Sequence, residues 1–154
     1  MCIRDRSTPV NLETGSKRSG IEISADASLG ENWQLGAAYT RLRARENRIE
    51  EVRRPRHSGR IRLSRNFADD RGRASIQFLH NGRRSDSEFI YATPETQVDL
   101  QPYTLTNIGV SYELQPNLML TVRADNLTGT KYQQVFGYSS PGRCVSLGVK
   151  LNLD

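Results

Sequence analysis

The chain is poor in the residues that carry most chemistry, with two cysteines, two histidines and one tryptophan in 154 residues. Cys2 and Cys144 have no CxxC spacing and His57 and His80 stand apart, so neither a disulfide framework nor a metal-ligand set is implied. There is no GxSxG, no HExxH and no pair of carboxylates at acid–base spacing, which points away from an enzyme and gives no reason for a cofactor. No run of about 18 apolar residues exists, and this excludes a transmembrane helix. It does not exclude a membrane, because strands that cross a bilayer alternate apolar and polar residues and look hydrophilic on average. The mean hydropathy of −0.63 and the hydrophobic fraction of 36% are low for a packed core. The net charge of +5 comes from arginines mixed with acids, as in "TRLRARENRIEEVRRPRHSGRIRLSR", with no aromatic stacking platform beside them. That argues against a nucleic-acid partner.

Alternation is what the sequence does have. In the final stretch Val145, Leu147, Val149, Leu151 and Leu153 are apolar while Ser146, Gly148, Lys150 and Asn152 are polar or small. This is the period-two signature of a strand with two different faces. Seven strand-like stretches are bounded by turn residues: 17–29, 33–45, 57–67, 73–84, 103–114, 118–126 and 143–153. Most exceed the usual soluble strand of about five or six residues and suit a tilted bilayer crossing of about 9–11. Their connections alternate between short ("GEN", "ADDRG", "QPN") and long (46–56, 85–102, 127–142). Short periplasmic turns and longer extracellular loops are joined in that order in outer-membrane barrels. The expected fold is therefore all-β: an antiparallel meander of about seven long strands forming an open segment of a large transmembrane barrel.

Parity assigns the faces. Ile21, Ile23, Ala25, Ala27 and Leu29 share one face with Trp33, Leu35, Ala37, Tyr39, Ile61, Leu63, Ala74, Ile76, Phe78, Ile108, Val110, Tyr112, Leu114, Leu118, Leu120, Val122 and Ala124. The opposite face carries Glu22, Asp26, Arg60, Arg62, Glu113, Arg123 and Asp125, which suits a wet lumen and not a closed core, where buried charge needs pairing. If the short turns are periplasmic, Trp33, Phe67 and Tyr112 mark the lower aromatic girdle and Tyr39 and Tyr103 the upper one. Beyond Tyr39 the outward face continues to Arg41, Arg43 and Arg45, above the apolar band, where guanidinium groups can fork onto lipopolysaccharide phosphates.

With these strands placed, "RADNLTGTKYQQVFGYSSPGR" resembles the last extracellular loop of TonB-dependent outer-membrane receptors. The shared motif is Asp125, Asn126 and Leu127 at a strand end, then Tyr132, Gly137 and Tyr138, then Pro141, Gly142 and Arg143 launching the last strand. "RRPRH" is similar to the segment leading into a later family strand, and the resemblance runs over roughly residues 16–153. The "GY…PGR" version is like that of vitamin B12 receptors, and siderophore receptors carry similar ends. Ser146, Gly148, Leu151 and Leu153 match the family's terminal assembly signal, which implies recognition by the barrel-assembly machinery. Thr128 replaces the family's usual Phe, and Leu153-Asp154 replaces its usual terminal aromatic.

The resemblance implies a fragment of an outer-membrane active transporter of a Gram-negative bacterium, taking up cobalamin or a ferric siderophore with energy from TonB. Such barrels have about 22 strands and a plugged lumen, so TonB contact falls to an N-terminal region outside this segment. Family substrates meet the long loops and upper lumen, which makes Tyr91, Gln97, Tyr132, Phe136 and Tyr138 the substrate-contact candidates. The competing readings are a non-transporting barrel, such as an adhesin or porin, and a soluble β-sandwich binding module. "MCIRDRS" has no apolar signal-peptide stretch and is similar to translated adapter read-through, so residues 1–15 are expected to be non-native or irregular and 16–154 to be the C-terminal part of the barrel.

Overall fold

The computed structural model describes residues 15–46, 49–88 and 96–153. Met1–Ser7 and Tyr91 lie outside the described residues. Seven long strands form one antiparallel sheet: β1 (Ser16–Leu29), β2 (Trp33–Glu46), β4 (His57–Phe67), β5 (Gly72–Asn81), β8 (Tyr103–Gln115), β9 (Leu118–Asp125) and β10 (Cys144–Leu151). Each pairs with the next in this order, so the sheet is a meander with no crossover. A two-residue strand, β3 (Ile49–Glu50), extends β2, and β6 (Arg84–Glu88) pairs with β7 (Thr96–Leu100) in a separate hairpin.

The register bears the parity out strand by strand. Ala27 lies opposite Leu35, Leu35 opposite Leu63, Leu63 opposite Ile76, Ile76 opposite Ile108, Ile108 opposite Ala124 and Ala124 opposite Val145. Directly opposed residues share a face, so one apolar row crosses all seven strands. The next row on the other face runs Ser28, Gln34, Ser64, Ser75, Gly109, Arg123 and Ser146. A one-residue slip anywhere would have mixed the two faces.

Neither face is covered. Val145, Leu147 and Val149 on β10 are 74%, 72% and 64% exposed, and the buried apolar residues among those described are Ala44, Leu100, Tyr103 and Ala124. A soluble sandwich buries the inner faces of two sheets against each other, and this single layer leaves a continuous oily face open. Both ends of that face carry cations: Arg65 lies 5.2 Å over the Trp33 ring and Arg71 5.8 Å over Tyr112 at the short-turn end, while Arg41, Arg43 and Arg45 stand beyond Tyr39 at the other.

The turns follow from local chemistry. The first short turn uses Gly30 at φ 70°, and the second holds Ala68, Asp69 and Asp70 all at positive φ, a compact left-handed reversal. Beside it, a Cβ on Gly72 would fall 2.3 Å from the Phe67 ring. Glycine there lets Phe67 lie across β5 toward Tyr112, 6.1 Å between centroids with planes 14° apart.

Three sequence expectations need correction. The stretch expected to run to Arg84 breaks after Asn81, where the Gly82 amide donates to the His57 carbonyl at 2.8 Å, and a second strand starts at Arg84. The long connection after it is not irregular but carries the β6–β7 hairpin. Tyr103 is not an outward girdle residue: it sits opposite Asn81, on the charged face, and is buried.

Candidate functional site

Three long connections meet at one end of the sheet, and the residue that ties them is Asp86 on β6. Its carboxylate is fully buried and accepts from Nε of Arg53 at 2.8 Å, from its neighbour's amide, Ser87, at 2.9 Å and from the Phe136 amide at 2.7 Å. Arg53 belongs to the connection between β2 and β4 and Phe136 to the last one, so one side chain holds segments 33 and 50 residues away in sequence. Burial alone would raise the Asp86 pKa, but the Phe136 and Ser87 amides and the Arg53 guanidinium outweigh it and hold the carboxyl below the ordinary aspartate range. Arg53 itself adopts φ 61° and its amide donates to the Ser85 carbonyl at 2.6 Å, docking the first connection against β6.

Asn126 organises the last connection. It takes φ 50°, a conformation asparagine tolerates better than most residues. Its Oδ1 accepts from the Thr130 amide at 2.9 Å, while Nδ2 donates to the Thr130 carbonyl at 2.9 Å and the Pro141 carbonyl at 3.4 Å. Both ends of the loop are thus fastened to the side chain of one residue, itself 3% exposed, and the backbone amide of Asn126 donates to Oδ1 of Asn107. Gly129 and Gly137 supply positive φ at 68° and 77°, and Arg143 packs where a Gly129 side chain would stand. The neighbouring Leu127 is exposed, with its amide donating to the Thr106 carbonyl, and Asp125 accepts from Nε of Arg123 at 3.0 Å.

Between this loop and the start of β8 lies an open cavity of about 700 Å³ whose lining includes Asp99, Tyr103, Lys131, Tyr132, Phe136 and Arg143. Tyr132 packs on Tyr103 with ring centroids 4.4 Å apart, and Arg84, buried, lies 5.2 Å over the other ring and donates to the Gln133 carbonyl. Burial beside Tyr103 holds the Tyr132 hydroxyl above the ordinary phenol range, so it stays a neutral donor. Of the five substrate-contact candidates, the structure brings Tyr132 and Phe136 together at this cavity. Gln97 stands exposed on β7 opposite Ser87, and Tyr138 is 58% exposed outside the lining.

Sequence reasoning passed over Asp86, Arg53 and Arg84. Their signal is weak, because an aspartate in "RRSDSEF" looks like loop solvation and only the fold brings Arg53 and Phe136 to it.

Residues 2–127 match the family model described as TonB dependent receptor-like, beta-barrel. The chain belongs to that family. The family is one of transport receptors and not of enzymes, and the sheet described above is an open segment of its barrel. Solved structures share the fold. The ferripyoverdine receptor of the outer membrane of Pseudomonas aeruginosa superposes with a TM-score of 0.75 at 18% identity, over 90% of this chain and 20% of that one. The ferric-catecholate import receptor Fiu from E. coli K12 gives 0.71 at 19% identity, over 90% and 21%. The FrpB iron transporter from Neisseria meningitidis gives 0.71 at 13%, over 88% and 24%. The chain thus spans about a fifth to a quarter of the length of these structures.

Proposed function

We infer that this chain is the C-terminal part of a TonB-energised receptor in the outer membrane of a Gram-negative bacterium, and that the receptor takes up a scarce metal chelate, a ferric siderophore or cobalamin. The observation that carries this reading is the two-faced sheet whose charged side ends in a loop-walled, aromatic and cationic cavity. Strand ends with short turns then face the periplasm, and the three joined connections face outward. Tyr132 and Phe136 offer flat apolar surface, while Lys131 and Arg143 supply positive charge that attracts an anionic chelate as it approaches. Gln97 and Tyr138 serve as outer contacts on the same rim, and Tyr91 is proposed as a further substrate contact.

Other partners follow from position. The barrel-assembly machinery reads Ser146, Gly148, Leu151 and Leu153 at an unpaired edge, β10, where the sheet offers a template for strand addition. Lipopolysaccharide meets the row Arg41, Arg43 and Arg45 on the apolar side. TonB acts through the region that precedes this segment.

The test is uptake by a strain whose sole receptor is the full-length protein carrying this segment, supplied separately with radiolabelled ferric siderophores and radiolabelled cobalamin. Accumulation of one of them that disappears on loss of TonB is expected. Entry that persists without TonB would refute active transport and favour a passive pore.

A further inference from the structure

Arg62 on β4 stands between Ile61 and Leu63, so it lies at the middle of the apolar band but on the opposite, charged face. Arg73 starts lower, on β5, and reaches across β4 to β2: its Nη2 donates to Oε1 of Gln34 at 2.9 Å and to Oγ of Ser64, itself 4% exposed, at 3.2 Å. Both acceptors are neutral, so this guanidinium is held in place while its charge stays uncompensated. Among the described residues neither Arg62 nor Arg73 forms an ion pair, whereas the neighbouring Arg123 is matched by Asp125 at 3.0 Å. The acid in Arg62's own row is Asp26, two strands away across Gly36, where a Cβ would fall 2.7 Å from its Oδ1. Asp26 thus has room to lie over β2, yet it makes no ion pair with Arg62.

Both arginines line an open pocket of about 260 Å³ whose wall holds no carboxylate. The same wall offers the hydroxyls of Ser75, Ser111 and Thr121 and the amide of Asn107. Oδ1 of Asn107 is already taken by the Asn126 amide at 2.9 Å, which leaves Nδ2, a donor, as the group it can offer. Two like charges on one pocket repel each other unless an anion lies between them, and guanidinium forks among neutral donors suit a carboxylate or a phosphate. The pocket also has a place along the barrel. Gln77, opposite Arg62 and in the pocket's lining, shares its strand and face with Asn81, which lies opposite Tyr103 of the rim cavity. At about 3.4 Å per residue the pocket is about 14 Å further into the lumen than Tyr103.

We propose that Arg62 and Arg73 form a second, inner site, in which an oxyanion of the transported chelate, a carboxylate or a phosphate, is held after it leaves the rim cavity. This rests on the transport reading and adds to it a station on the lumen wall, separate from the loops that first take the substrate. Arg73 is the preorganised half of the fork, because Gln34 and Ser64 fix it before any anion arrives; Arg62, bound to nothing in the sheet, closes on the anion from the other side of the pocket. Free phosphate from the medium has the same chemistry, and so has a carboxylate of the region that precedes this segment; the three sources differ in what loss of the arginines does to uptake.

The test uses a strain whose sole receptor is the full-length protein, with whichever of the radiolabelled ferric siderophores and radiolabelled cobalamin it accumulates. Surface binding is measured without TonB and initial uptake with it. The double variant Arg62→Gln with Arg73→Gln is expected to keep the wild-type surface affinity and to take up substrate about tenfold more slowly. Arg62→Lys with Arg73→Lys recovers part of the rate, because the charge remains while the fork is lost. Arg62→Gln alone, which breaks no bond within the sheet, gives a smaller loss in the same direction should the double variant fold poorly. Unchanged uptake overturns the proposal and leaves the arginines as a solvated wall or a site for free phosphate. An equal loss of surface binding overturns it by placing their effect at the rim. New sensitivity of the variant to vancomycin, which a plugged lumen excludes, overturns it in favour of arginines that hold the preceding region in place. A wild-type strain that accumulates neither substrate refutes the transport reading itself, a result distinct from all of these.

Discussion

Replacing Asp86 with alanine removes the acceptor that joins the three long connections. Three donors lose their partner: Nε of Arg53, the Ser87 amide and the Phe136 amide. Their losses differ in weight. The Arg53 side chain is about half exposed, so water replaces its bond, and Ser87 is the adjacent residue in the same strand. Phe136 is the donor on whose bond the last loop depends. A hydrogen bond to a charged acceptor is worth about 1.5–3 kcal/mol; taking about 2 kcal/mol for the Phe136 bond gives roughly a 30-fold change in local opening, at tenfold per 1.4 kcal/mol. The assay is amide hydrogen exchange on the full-length receptor. Protection at Phe136 is expected to fall by about this factor, while a ladder amide such as Leu120 keeps its own. Unchanged protection at Phe136 in Asp86→Ala would refute the clamp. The pH dependence has a definite sign. Because the folded carboxyl is held below its unfolded value, its contribution is fully present above about pH 3.9 and is lost only as the pH falls through the lower folded value. Phe136 protection, corrected for intrinsic exchange, is therefore flat from neutrality down to about pH 5 and collapses in stronger acid.

Asn126→Asp removes the amide that donates to Thr130 and Pro141 and sets a carboxylate against both carbonyls; a cost of about 1–3 kcal/mol should appear as faster proteolysis within residues 127–142 of the folded receptor. Gly72→Ala displaces Phe67 from its place beside Tyr112 and is expected to lower the barrel's melting temperature, with Phe67→Leu in the same chain restoring most of the loss; an unaltered melting temperature would contradict the packing argument. Leu153→Asp, at an 85% exposed apolar position, should lower the amount of receptor reaching the outer membrane, while Asn152→Asp should not. Equal effects of the two would argue against an assembly signal.

Most of the sheet was legible because its two environments differ so sharply. Val145 through Leu153 alternate without a break, and the same parity held across Ile61, Ile76, Ile108 and Ala124, so register could be read from which residues want oil. The β6–β7 hairpin escaped because Arg84–Glu88 and Thr96–Leu100 carry almost no apolar alternation, and their pairing rests on backbone bonds and Asp86. Tyr103 was assigned by its height along the strand. Counting from Ile108 and Val110 puts it on the charged face, where Tyr132 and Arg84 cover it. The bulge between Glu113 and Gln115 likewise has no signature in an otherwise regular strand. Within the site, Asn126 stood out through its motif, but its hold on both Thr130 and Pro141 depends on a loop closing over 15 residues, which spacing alone does not reveal.

The central claim is that one face of this sheet meets lipid and the other a wet lumen, and it is tested most directly by spin-label accessibility along β10. With both Cys2 and the exposed Cys144 changed to serine, single cysteines at 145 through 150 in the full-length receptor, reconstituted in bilayers, are labelled and their collisions with oxygen and with a water-soluble nickel chelate are measured. Labels at Val145, Leu147 and Val149 should favour oxygen, and labels at Ser146, Gly148 and Lys150 should favour nickel, in strict alternation. Accessibilities that do not alternate, or that alternate in the opposite phase, would contradict the account.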